Sequence, residues 1–159
     1  MKHLEYKLWA EISKTKEHEL AWHDALVKME EDYDLAKKKL NKKFVKIYEE
    51  ENRFHDASVR NYKMHSVKKF NKYVLNIEIE TFSFDENSYR LTYKGVDSCK
   101  YNHHTDTLSD KYCLNLEDSI GEWMYSEIYL EDKHIVMNIA LAGYGEINIK
   151  CKDIKIEEL

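Results

Sequence analysis

Near Phe54 the spacing of apolar residues changes from a helical repeat to strict alternation, and that change restricts the chain to an α+β arrangement with its helices first. Upstream, Trp22, Leu26, Met29, Tyr33, Ala36 and Leu40 follow one another in steps of four and three and Ile47 lies one heptad further on, the stripe of one helical face. Ser13 is placed to cap the start. A single helix from about residue 15 to about residue 51 would be roughly 55 Å long, more than the width of a compact domain of this size. It must protrude or break. Adjacent acids make Glu30 to Asp34 the weakest stretch, so an antiparallel helix pair turning there is the alternative. Leu4, Leu8, Trp9 and Ile12 mark a separate helical turn before it.

Downstream the period is two. Tyr73, Leu75, Ile77 and Ile79 alternate with more polar neighbours, as do Tyr89, Leu91 and Tyr93, and Ile135, Met137, Ile139 and Leu141. Trp123 to Leu130 and a weaker run from Arg60 to Val67 read as further strands. Glu131-Asp132-Lys133 reads as a hairpin connection and Gly143-Tyr144-Gly145 as the next turn. In the last strand Ile147, Ile149 and Cys151 share one parity and Ile154 and Ile156 the other, which a bulge near Lys152-Asp153 would reconcile. These connections are too short for parallel crossovers. The expectation is one domain over 1–159: a helical segment, 1–53, packed on or beside an antiparallel sheet of about six strands in 54–159.

Composition narrows the class. With 43% hydrophobic and 35% charged residues the chain can build a core, which excludes wholesale disorder. No apolar run approaches the roughly 18 residues of a membrane span, and the first residues lack the apolar stretch of a secretory signal. Cys99, Cys113 and Cys151 are odd in number and form no close pair, fitting core thiols in a reducing compartment. The expected location is the cytoplasm. A formal charge of −5 argues against a membrane partner and against nucleic acid. There are no prolines and four glycines, and no linker or repeat is visible.

No glycine-rich phosphate loop, nucleophile elbow, His-Glu-x-x-His or Cys-x-x-Cys occurs. His103, His104 and Asp106 carry zinc-type ligands, but adjacent histidines on extended chain point apart, so a solvated loop is the plainer reading, and His134 would be needed as a further ligand. Phe54, His55 and Asp56 sit where the period changes. Asp56 could orient His55 as a base, yet its position as immediate neighbour disfavours that geometry, and the preferred role is a structural junction with Phe54 as core plug. Six lysines between Lys37 and Lys46 read as a solvated face. Trp123, Tyr125 and Tyr129 share a parity on one strand, with Glu127 and Glu131 among them, so that strand either contributes its rings to the core or presents acid-rimmed aromatics to a basic protein.

Three segments, Phe54-His55-Asp56-Ala57, Trp123 to Tyr129 and Ile149 to Ile154, resemble a family of uncharacterised proteins of low-GC Gram-positive bacteria, known as a domain of unknown function. The resemblance implies no activity and no catalytic residue. The favoured expectation is a non-enzymatic binding or protein-interaction domain, immunity-like or regulatory, without a cofactor. The alternative is a small-molecule-binding or metal-assisted enzyme using a histidine/aspartate cluster. A stripe from Trp22 to Ile47 left uncovered by its own sheet would pair two copies into a homodimer.

Overall fold

A computed structural model describes residues 2–3, 15–83, 85–103, 121–142 and 145–159. The helical turn expected at Leu4 to Ile12, the Ser13 cap, the middle of the Gly143 to Gly145 turn, Cys113, His104 and Asp106 lie outside the described residues. His103 is described only as the end of a strand.

Among the described residues two α-helices precede the sheet. Helix α1 spans Lys16–Lys37, with the Thr15 hydroxyl accepting from the His18 amide. Helix α2 spans Lys42–Glu50, where the Asn41 side chain accepts from the amides of Lys43 and Phe44. The break therefore falls after Lys37 rather than at Glu30 to Asp34. The physical reason is that two of the acids there are partnered: Arg53 grips Glu30, while the Lys2 ammonium and the His3 ring reach Asp32. Asn41 supplies the next cap, and Lys37 spans the break to Glu49 at 2.5 Å.

The stripe on α1 is buried at Trp22, Ala25, Met29, Tyr33 and Ala36, and α1 lies on the fifth strand. The chain's own sheet covers most of the stripe, with Leu26 and Ile47 half-buried. Phe44 and Tyr48, one turn apart on α2, stack at 5.3 Å and are buried.

Among the described residues eight strands follow, not about six: β1 Ala57–Lys69, β2 Lys72–Phe82, β3 Ser88–Lys94, β4 Ser98–His103, β5 Gly121–Glu131, β6 His134–Leu141, β7 Gly145–Cys151 and β8 Asp153–Glu158. They form one antiparallel sheet in the order β4-β7-β6-β5-β1-β2-β3-β8. The short, polar β4 escaped the periodicity. The last predicted strand is two strands. At Lys152 the chain bends rather than bulges, leaving β6 as a neighbour and joining β3. Ile154 and Ile156 thereby face the core despite their changed parity.

One residue thus connects the second position in the sheet with the eighth. Since consecutive Cα atoms are only about 3.8 Å apart, the sheet must roll until its ends approach one another. Inside the roll lie Ile77, Ile79, Leu91, Ile135, Met137, Ile139, Ile149 and Ile154. Tyr93 donates across that interior to Met137 Sδ at 3.3 Å. The central seam is thin, since β1 meets β5 only through Ala57, Ser58 and Val59. Cys151 is a buried core thiol whose pKa burial pushes up to about 12.

Candidate functional site

Between α2 and β1 the backbone makes a left-handed turn from residues that ordinarily avoid one. Asn52, Arg53 and Phe54 have φ of 46°, 59° and 62°, and Asp56 has 64°. Asn and Asp tolerate this conformation, whereas for Arg53 and Phe54 it costs about 1–2 kcal/mol each. Burial of the Phe54 ring against Tyr48, Tyr89 and Trp123, at 5.4 to 6.0 Å between centroids, opposes that cost. The expected core plug is present.

The turn also fixes what surrounds the plug. Arg53 lies over the Tyr33 ring and forks onto both Glu30 oxygens at 2.8 and 2.6 Å. At Asp56, also at positive φ, the carboxylate lies 3.0 Å from His55 Nδ1.

Opposite the turn, β5 carries a bulge at Met124, shown by the register change between Trp123 and Tyr125. The extra residue resets the parity. Trp123 points into the core at 0% exposure, whereas Tyr125 faces α1 and meets Trp22 edge-on at 5.4 Å. The shared parity of Trp123, Tyr125 and Tyr129 therefore does not place them on one face.

Tyr125 also meets the His55 ring at 5.1 Å, joining two groups that the sequence named separately. Glu30, Asn52, Arg53, His55, Met124, Tyr125 and Ser126 line a cleft of ≈ 340 Å³, at the small end of the range for ligand sites. Several of its polar groups are engaged: Arg53 with Glu30, His55 with Asp56, and Ser126 with the Tyr48 hydroxyl at 2.7 Å.

Further along β5, Glu127 is 1% exposed and is not a rim acid. Its carboxylate accepts from the amides of Lys2 and His3 and from Asn138, which in turn accepts from Asn148, a polar ladder across three strands. Tyr129 is half-buried beneath the Lys2 ammonium, and burial first, then Glu127 and Glu131, pushes its hydroxyl pKa up. Glu131 is exposed and meets Lys150 at 3.4 Å. His134 faces Glu131 across the hairpin. Among the described residues no three His, Cys, Asp or Glu side chains gather to hold a metal.

A second feature escaped sequence reasoning. β1 and β2 pair from Ser58 opposite Phe82 out to Lys69 opposite Lys72, but β5 reaches β1 only at Ala57 to Val59, and β3 reaches β2 only from Asn76 inward. Beyond Met64 and Leu75 the two strands form an arm that pairs only with itself. On one face Met64, Leu75 and Tyr73 prolong the core-facing row begun by Ile79 and Ile77, yet they are exposed. At the two-residue tip Phe70 is 97% exposed with φ of 52°.

From residue 57 to 77 the chain carries Arg60, Lys63, Lys68, Lys69 and Lys72 and no acid. On the other face of the arm, Lys69 and Lys72 share their side of the sheet with Lys94 and Lys155. Desolvation holds the Lys94 ammonium pKa below its ordinary value, and proximity to Lys155 and Lys69 adds to this against the pull of Asp153. The uninterrupted run without acids was the available signal, hidden by the negative total.

No known protein family and no curated protein sequence matches the chain. Among solved structures, an uncharacterized protein from Neisseria gonorrhoeae is similar at a TM-score of 0.41 and 17% identity, over 67% of this chain and 94% of that one. A likeness at that level indicates neither family nor activity. No described helix is long and apolar enough to cross a membrane.

Proposed function

We propose that this is a non-enzymatic binding protein of the bacterial cytoplasm, immunity-like or regulatory in character, that engages a macromolecular partner through the β1–β2 arm. The supporting observation is the arm itself: Met64, Phe70 and Tyr73 lie exposed on strands that contribute nothing to the rolled sheet at that end. Isolated two-stranded ribbons are marginally stable in water, and large exposed apolar side chains gathered on one mark a contact surface. The test is a photo-crosslinking phenylalanine analogue at Phe70 in living cells, with the same probe at Leu35, 57% exposed on α1, as control. Adducts are expected at position 70 well above those at 35. Equal yields would remove the arm from the binding surface.

A second reading, a small-molecule site, is supported by the cleft beside the left-handed turn, where backbone strain is held next to His55, Arg53 and Tyr125. A thermal-shift screen with a small-molecule library tests it. Hits that vanish in Tyr125→Ala would support the cleft, and hits indifferent to that change would not.

A further inference from the structure

We propose that the arm docks this protein on anionic phospholipid bilayers, with Phe70 entering the acyl boundary while Lys68, Lys69 and Lys72 meet the headgroup phosphates. The inference rests on the reading of the arm as the binding element and names its partner's chemistry. It departs from the expectation drawn from formal charge, because a total of −5 averages a basic arm with an acidic remainder.

Three observations converge. The residue farthest out is an apolar ring at 97% exposure, in a left-handed conformation that glycine adopts freely and phenylalanine does not. It is wrong for a turn on two counts, so a turn-forming role does not account for it. Around it stand three exposed lysines, Lys68, Lys69 and Lys72, and no acid occurs from 57 to 77. Finally, Lys69 and Lys72 share one side of the sheet with Lys94 and Lys155, where Asp153 stands opposite Lys94, so the basic collar continues from the arm onto the body of the sheet.

The same charge would attract nucleic acid, but the rest of the arm fits lipid better. Beside the exposed polar residues His65, Ser66 and Asn71 it exposes the aliphatic chains of Met64, Val67 and Leu75, which gain from an acyl interior and little from bases. Residues 61 to 77 contain no arginine, the commonest reader of bases and phosphates. Tyr73, three positions behind the tip, has the amphipathic ring that settles at headgroup depth. An apolar insertion and a basic collar are the paired signals that surface anchoring requires.

The experiment is flotation of the full chain with vesicles of phosphatidylcholine alone and of equimolar phosphatidylcholine and phosphatidylglycerol. Binding is expected to the anionic vesicles only, and to weaken as salt rises. Each lysine at an anionic surface strengthens binding about fivefold, so Lys68→Gln, Lys69→Gln and Lys72→Gln together should lose about a hundredfold. Phe70→Ser should lose roughly tenfold, and Leu35→Ser nothing. All are exposed positions, and circular dichroism confirms that the variants remain folded.

Equal binding to neutral vesicles, no flotation, or flotation that survives both arm variants would overturn the inference. So would tight binding of a labelled single-stranded oligonucleotide, lost in the same variants, without flotation. The crosslinking at Phe70 separates the two levels. Protein or nucleic-acid adducts without vesicle binding would defeat the bilayer while leaving the arm as the binding element. Neither adducts nor flotation would defeat both.

Discussion

At the tip of the arm, stability and binding should respond to substitution in opposite directions. Phe70 has φ of 52°, and its ring, at 97% exposure, contributes essentially no burial. Relieving the left-handed penalty by Phe70→Gly recovers about 1–2 kcal/mol in the folded chain. Greater freedom of glycine in the unfolded chain takes back about 0.5–1 kcal/mol. The net expectation is a gain of about 0.5–1 kcal/mol, which for a chain of this length raises Tm by about 1–4 °C. Phe70→Ala keeps the backbone penalty and removes the ring, so it should stay within about 0.5 kcal/mol of the parent. Guanidinium unfolding of the three proteins, with thermal melts alongside, measures both differences. A loss of more than about 0.5 kcal/mol in either variant would refute the reasoning. It would mean that the ring packs in solution, so that Phe70 is a structural residue.

Phe54→Ala removes a fully buried ring from contact with Tyr48, Tyr89 and Trp123, and should lower unfolding free energy by about 3–5 kcal/mol in denaturant titrations. A double-mutant cycle of Tyr48→Phe and Ser126→Ala should return a coupling of about 1 kcal/mol for their buried hydrogen bond. Acid should destabilise the fold. The Arg90 guanidinium, then the Asn61 amide, hold the Glu80 carboxyl below its ordinary 4.5. At Glu51 burial pushes the carboxyl up, but the hydrogen bonds it accepts, from Tyr89 first and then Asn87, help to outweigh it. Both pKa values are lower folded than unfolded, so the stabilisation is present above about pH 4.5 and fades as pH falls through the depressed values. Denaturant midpoints measured across that interval should drop, and Glu80→Gln should flatten the slope.

What the sequence disclosed followed from periodicity. The apolar stripe from Trp22 to Ala36 and the alternations at Ile77, Leu91, Met137 and Ile149 are strong because each residue answers to one buried face. What it concealed arose where a residue answers to something distant. The helix break depends on Arg53 reaching Glu30 and Lys37 reaching Glu49, neither adjacent in sequence. Only the bulge at Met124 separates Trp123 from Tyr125, and no local rule announces it. The cleft needed both that bulge and a left-handed turn built without glycine. The arm was legible as charge, through a run without acids, but was averaged away in the whole-chain total.

The order of strands carries a consequence for how the chain reaches its native state. β1, β2 and β3 form one meander and β5, β6 and β7 another, while β4 leaves the first to pair with β7 and β8 leaves the second to pair with β3. Each half completes its sheet with a strand lent by the other. Neither half can therefore finish alone, and closure waits on contacts between residues far apart in the chain, which makes folding slow and concerted. At high concentration the same reciprocity lets two molecules lend strands to each other, since an identical β8 from a second copy offers β3 the same edge.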